Sequence, residues 1–276
     1  MRRRYLSQII LFMAFLTVGC ACRSTREGHV PSHPKTGAVQ PKEKAKVNPQ
    51  LPEMPAPLKK MPEQILYRKG FTVSYNKETL QANWVAWRLT AEHVRGKVKR
   101  PSGNAWHEDT EVPYPRATRD DYKGSGYSRG HLCPAADCKW DEEVMYESFL
   151  LTNCSPQNLT LNSGDWNEME IACRRWAEKY GEVYIVTGPL FYRQEHQTVG
   201  DSKIAVPEAF FKVVLCLNGT PKGIGFVCKN TSDNRTKDFY VNTIAQVERL
   251  TGMQFFPQLP PKTAKQVKEH ADIHEW

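Results

Sequence analysis

The sequence lacks a comfortable membrane-spanning run, an internal repeat and, past residue 62, any net charge. Its extended apolar stretch, Ile9 to Val18, falls short of the roughly 20 residues that cross a bilayer. The missing repeat sets aside a stacked-repeat architecture. The formal charge of +8 invites a nucleic-acid reading, but Arg2, Arg3 and Arg4 supply +3 of it and residues 20–62 the other +5. Residues 63–276 are neutral overall, so any binding of a polyanion there must come from a local patch rather than a global field. Large apolar residues are also scarce between positions 21 and 62, a stretch rich in Pro, Lys, Ser and Gly, which excludes a core and predicts a disordered tether.

What is present begins with Met1-Arg2-Arg3-Arg4, the short apolar run and then Thr17-Val18-Gly19-Cys20. A charged start before a short apolar segment is the pattern of a bacterial secretory signal. The residues before Cys20 come close to a lipoprotein cleavage box, so a lipid anchor on Cys20 is expected, with simple export as the alternative. The chain then divides into a signal (1–20), a linker (21–62), a folded domain (63–262) and a C-terminal tail (263–276). The expected location is the periplasm or a membrane surface. Export implies an oxidising compartment. Six of the eight cysteines fall in the folded part, enough for up to three bridges whose connectivity the sequence does not give.

The patterning predicts one α+β domain. Ile65 to Tyr67, Phe71 to Tyr75 and Val183 to Thr187 read as strands, and Asn83 to Thr90 alternates like a half-buried strand. Lys97 to Tyr122 reads as a long loop of the kind that is often functional. Tyr127 to Leu132 and Phe149 to Asn153 read as two more strands, the second ended by Pro156. Asp141 to Glu147 suggests a short helix. Ser163 to Tyr180 reads as the clearest helix, capped by Ser163, with Trp166, Met169, Cys173, Trp176 and Tyr180 as its apolar stripe. Phe210 to Leu217 and Gly223 to Lys229 suggest a hairpin around Asn218-Gly219, which makes Cys216 and Cys228 a candidate bridge. Val241 to Thr251 reads as a last helix.

Chemistry concentrates in two places. On a strand, Arg129 and His131 leave the same face, and Gly130 between them leaves the other side unobstructed. Histidine titrates near neutral pH, and a guanidinium beside it suits a phosphate, so the pair fits attack on a phosphodiester. Asn162, Trp166, Glu170 and Arg174 recur every four residues and form a drifting stripe along a helix. An amide oxygen on Asn162 suits a hard, hydrated cation such as Mg²⁺, Glu170 a water held by it, and Arg174 a phosphate. The plain alternative is a helix cap with an ordinary surface Glu–Arg pair.

Taken together, a strand with Arg129-Gly130-His131, a second strand, and Pro156-Gln157, Leu161-Asn162, Gly164, Trp166 and Glu170 after it resemble the DNA/RNA non-specific endonuclease family. The resemblance spans roughly residues 64–260. It implies a ββα-metal finger nuclease fold with a central antiparallel sheet flanked by helices. It also implies a metal-dependent endonuclease that hydrolyses DNA and RNA to 5′-phosphate products. In that reading His131 is the general base, Asn162 the direct ligand of one hydrated Mg²⁺ (Mn²⁺ as a substitute), and Glu170 the residue that positions a water on the metal. Arg129 and Arg174 stabilise the phosphate, while Arg100, Gln157 and Asn153 belong to substrate binding and the support of the site. The sequence departs from the family at Ser128, where an Asp is usual. Two other readings stand beside this one: a tethered, non-catalytic nucleic-acid-binding lipoprotein on the same fold, and a zinc site built from His131, Cys133 and Cys138.

Overall fold

The computed structural model describes residues 52–276. The signal, Cys20 and most of the linker lie outside the described residues. Eleven strands and six helices follow one another along this part of the chain. The strands are β1 (Gln64–Tyr67), β2 (Thr72–Asn76), β3 (Gln81–Thr90), β4 (Tyr127–His131), β5 (Cys154–Asn158), β6 (Glu182–Leu190), β7 (Thr198–Val199), β8 (Ile204–Ala205), β9 (Ala209–Cys216), β10 (Lys222–Lys229) and β11 (Val241–Asn242). The helices are α1 (Ala91–Val94), α2 (Glu142–Glu147), α3 (Leu159–Ser163), α4 (Asp165–Tyr180), α5 (Ile244–Thr251) and α6 (Pro261–Glu269).

Seven strands form one antiparallel sheet in the order β1-β2-β3-β6-β9-β10-β11. Both faces of this sheet are covered. Along β3, Val85, Trp87 and Leu89 enter a core shared with α4, while Trp84 and Ala86 enter a second core on the opposite face with Ile244 and Val247 of α5 and Val267 of α6. The expectation of a half-buried β3 is therefore corrected. Its alternation sorts residues between two cores, because β3 is an inner strand with helices over each face. The inner strand β9 alternates the same way, Phe210 and Val214 on the α4 side and Phe211, Val213 and Leu215 on the other. Lys212 shares the α4 side by the same period of two.

The hairpin of β9 and β10 forms as expected, but its register separates the two cysteines. Cys216 faces Lys222 and Cys228 faces Phe210, at opposite ends of the ladder. The candidate bridge between them is corrected accordingly. All six cysteines of the described domain are buried free thiols, packed as small apolar side chains.

The domain is larger than expected at both ends. Residues 52–62, assigned above to the linker, pack on the sheet: Met54, Leu58 and Met61 lie against the second core, and the Ala56 amide donates to the Gln254 carbonyl at 2.9 Å. Residues 263–276, assigned to a tail, complete α6 and return to the first core. There the Trp276 ring lies 4.5 Å from that of Trp176, with Lys222 Nζ above it. The last helix begins at Ile244 behind a capping box of Thr243 and Gln246, and Gly252 ends it at φ +70°.

Candidate active site

A small two-stranded finger, β4 against β5, followed by α3 and α4, sits on the first face of the sheet. Its register sets Arg129 opposite Pro156, Gly130 opposite Ser155 and His131 opposite Cys154. The second strand is Cys154–Asn158, one segment later than the sequence suggested, and Leu151–Asn153 is a 3-10 turn that leads into it. Pro156 lies within the strand rather than ending it, since each strand of a two-stranded ribbon keeps an open edge where a missing N–H costs little.

Gly130 is required by close approach. A Cβ there would come within 2.7 Å of the Gln157 Cβ and strike its amide oxygen. The far side of the Arg129/His131 strand is thus filled by Gln157, not open as expected. Asn153 is equally internal. Its side-chain oxygen accepts from the Cys133 amide at 2.8 Å, and its nitrogen donates to the Cys133 and Ser148 carbonyls at 2.8 and 2.9 Å. Neither Gln157 nor Asn153 reaches the surface, so their assignment to substrate binding is corrected. They pack behind the strand that carries His131.

The helix after the finger is also divided. Asn158 caps α3 through the amides of Thr160 and Leu161, and Gly164, at φ −101° and ψ −111°, breaks the chain before α4. The Ser163 hydroxyl donates back to the Leu159 carbonyl at 2.9 Å instead of capping α4. Asn162 therefore ends a short helix of its own and is half-buried there. Only Trp166, Glu170 and Arg174 form a helical stripe, and Trp166 belongs to the core. The break is what turns the Asn162 region away from the axis of α4.

His131 sits in an aromatic box. Its ring centroid lies 4.3 Å from that of Trp106 and 5.0 Å from that of Phe149, and the Arg100 guanidinium lies 5.3 Å over the Phe149 ring. Trp106 and Arg100 both come from the long loop after β3, which the fold thereby brings against His131 and Phe149. The His131 Nε2 is shielded from solvent and has no hydrogen-bond partner. Burial, then the Arg100 charge, pushes its pKa down to about 3. The imidazole is consequently neutral across the physiological range.

Glu170 is affected in the opposite direction. Burial pushes its carboxyl up to about 7; Lys212 opposes that rise, Asp137 adds to it, and Arg174 and Arg100 oppose it. Arg100 acts electrostatically on both His131 and Glu170, so the structure brings His131, Arg100, Glu170 and Arg174 into one neighbourhood. Arg129 is held to one side of it. Its Nη2 donates to the Arg119 carbonyl at 2.7 Å, and its guanidinium lies 5.5 Å over the Tyr122 ring.

Cys133 and Cys138 turn into the first core, their sulfurs 3.8 Å apart. Among the described residues no group of three His, Cys, Asp or Glu side chains is arranged to hold a metal ion. The zinc reading of His131, Cys133 and Cys138 therefore finds no support. A hard-cation site of the kind read at Asn162 draws on one amide oxygen and waters, and the Glu170 carboxyl, in one neighbourhood with Arg100 and Arg174, is an oxygen donor that suits that chemistry.

Trp106, Phe149, Asp137 and Lys212 were absent from the sequence-level site. Their contacts to His131, Arg174 and Glu170 are long-range, and no local spacing marks them.

A ββα finger on an antiparallel sheet, with a shielded histidine and flanking arginines, defines the metal-finger class of nucleases. Within that class the chain belongs to the DNA/RNA non-specific endonuclease family, whose profile matches residues 56–262. It is 32% identical over 209 residues to mitochondrial endonuclease G of Bos taurus, covering 71% of this chain and 70% of that protein. It is 33% identical over 214 residues to nuclease C1 of Cunninghamella echinulata var. echinulata, covering 72% of this chain and 84% of the relative. Among solved structures it is similar to one described as the EndoG/EndoGI complex, with a TM-score of 0.70, 26% identity, and coverage of 75% of this chain and 91% of the other. The chain is a nuclease.

Proposed function

We propose that the protein is an exported, Mg²⁺-dependent endonuclease that hydrolyses DNA and RNA alike, leaving 5′-phosphate and 3′-hydroxyl ends. The observation that carries this reading is the unpaired, shielded Nε2 of a neutral His131, set beside Arg100. A neutral imidazole has a lone pair to receive a proton from an attacking water. Its low affinity for that proton rises when a phosphate's negative charge arrives, because an opposite charge nearby favours imidazolium. His131 thus takes the water's proton as the new P–O bond forms and the bond from phosphorus to the 3′-oxygen breaks; that oxygen leaves as a hydroxyl after taking a proton from solvent.

Arg174 and Arg100 bind the phosphate oxygens, and Arg129 secures the neighbouring backbone. Asn162 would hold the cation through its amide oxygen, with Glu170 oriented toward the cation's hydration shell. When bound, Mg²⁺ (or Mn²⁺) supplies positive charge at the phosphate and the departing oxygen. Contacts of this kind touch only backbone and sugar, which accounts for low sequence preference. A bacterial secretory signal and a lipid on Cys20 would hold the enzyme outside the cytoplasm, in the periplasm or at a membrane.

Plasmid DNA and RNA incubated with the purified protein in Mg²⁺ and in chelator test the reading. Cleavage of both substrates in Mg²⁺ alone is expected. Binding of either without cleavage in any divalent cation would overturn it in favour of a non-catalytic nucleic-acid-binding lipoprotein.

A further inference from the structure

Two charged side chains lie wholly inside the protein beneath the site, and the reaction as described above uses neither. Asp137 is 3% exposed and Lys212 is 1% exposed. Asp137 ends the 3-10 turn Ala135–Asp137, six residues after His131. One of its carboxylate oxygens accepts from Arg174 Nη1 at 2.9 Å, the other from the indole N–H of Trp87 at 3.1 Å. Lys212, on the inner strand β9, lies with Nζ 4.5 Å over the Trp166 ring and 5.3 Å over the Trp87 ring. Its charge acts on both Asp137 and Glu170.

A buried ion pair stabilises little compared with apolar residues of the same volume, because both charges must leave water. Stability is thus a weak reason for this cluster, and its geometry offers a better one. Trp87 lies on β3, an inner strand paired on both sides, so one oxygen of Asp137 is anchored to the seven-stranded sheet. The second oxygen then fixes one nitrogen of Arg174, whose side chain is otherwise partly open to solvent. The segment between His131 and Asp137 is itself clamped by Asn153 at Cys133. One short segment, held at its middle, carries the base at one end and the anchor of the phosphate-binding arginine at the other.

We propose that Asp137 is a positioning residue that aims Arg174 at the phosphate, with Lys212 as its buried counter-charge. This rests on the role given above to Arg174. Fixing a guanidinium before substrate arrives spares the ordering of a long side chain during the reaction, and small misplacements are costly in rate.

A double-mutant cycle on the full-length protein tests this, with kcat/KM for a DNA duplex in Mg²⁺ as the readout. Asp137→Asn keeps the size but removes the charge and leaves only one acceptor oxygen for the two donors, Arg174 Nη1 and the Trp87 indole N–H. If it acts through Arg174, it lowers kcat/KM on the order of 10²-fold in the wild type, yet by less than about twofold in an Arg174→Ala background. An equal loss in both backgrounds would overturn the proposal and leave Asp137 a structural residue. So would wild-type rates for Arg174→Ala, since there would then be no arginine to position. A wild type that cleaves no nucleic acid would instead refute the nuclease reading itself. If Asp137→Asn fails to fold, Trp87→Phe removes the anchoring hydrogen bond while keeping a ring in place. The same cycle with that variant must show a loss that vanishes with Arg174→Ala; an additive loss overturns the proposal equally.

Discussion

The imidazole of His131 packs against the indole of Trp106, ring centroids 4.3 Å apart and tilted by 42°. This contact helps keep water from Nε2 and so maintains the histidine in its neutral form. Trp106→Ala should admit water and raise the His131 pKa from about 3 toward its ordinary value of 6.5. Titration of the His131 ring by NMR would register the shift; a value that stays near 3 would assign the depression to burial by the other neighbours, Phe149 among them, and to Arg100.

In the proposed reaction Glu170 sets the acid side of the pH profile. With its pKa near 7, the carboxylate that the reaction needs is present above pH 7 and is lost as pH falls through 7. kcat/KM should therefore decline below about pH 7, where His131 is still neutral, and Glu170→Gln should abolish that limb along with most activity. The same shift has the reverse sign for stability. A carboxyl whose folded pKa lies above its ordinary 4.5 contributes stability below that value and loses it as pH rises through 7. Glu170→Gln should thus raise the metal-free Tm at pH 8 while it slows cleavage. His131 adds the complementary effect: its depressed pKa gives stability that is full above pH 6.5 and is lost as pH falls toward 3.

Gly130 should tolerate no side chain. The Cβ of Gly130→Ala would meet Gln157 at 2.7 Å and closer, and overpacking of this kind costs about 1–3 kcal/mol. Denaturant unfolding of Gly130→Ala alone and with Gln157→Ala would show whether the second change relieves the first. A full loss retained in the double variant would place the clash at the Cβ of residue 157, which alanine keeps, rather than at its amide oxygen.

Asn162→Ala should shift the Mg²⁺ concentration for half-maximal cleavage upward, with little change in Tm, because Asn162 ends a short helix and is not part of the core. An unchanged Mg²⁺ dependence would remove it as the cation's ligand.

Much of the site was legible because its residues are close in sequence. The Arg129-Gly130-His131 strand needs only a strand period to be placed and the Glu170 and Arg174 positions only a helix period, whereas Asn162 falls on the short helix before the break. Reading one helix from Ser163 failed at Gly164, where the backbone turns sharply and starts α4 afresh. Reading Pro156 as a terminator failed because the finger has only two strands. The remainder depended on tertiary contact. Trp106 and Arg100 meet His131 only when the long loop folds back, and Lys212 looks like a strand's solvent-facing residue until α4 covers it. The paired cysteines suggested bridges by their even number, but register and burial, not count, decide which sulfurs meet.

The most direct test is the rate of DNA and RNA cleavage by His131→Ala in saturating Mg²⁺, beside the wild type. A loss on the order of 10²–10⁴-fold on both substrates, with an unchanged fold by circular dichroism, is the expected result. Equal rates for the two proteins would contradict the assignment of His131 as the base.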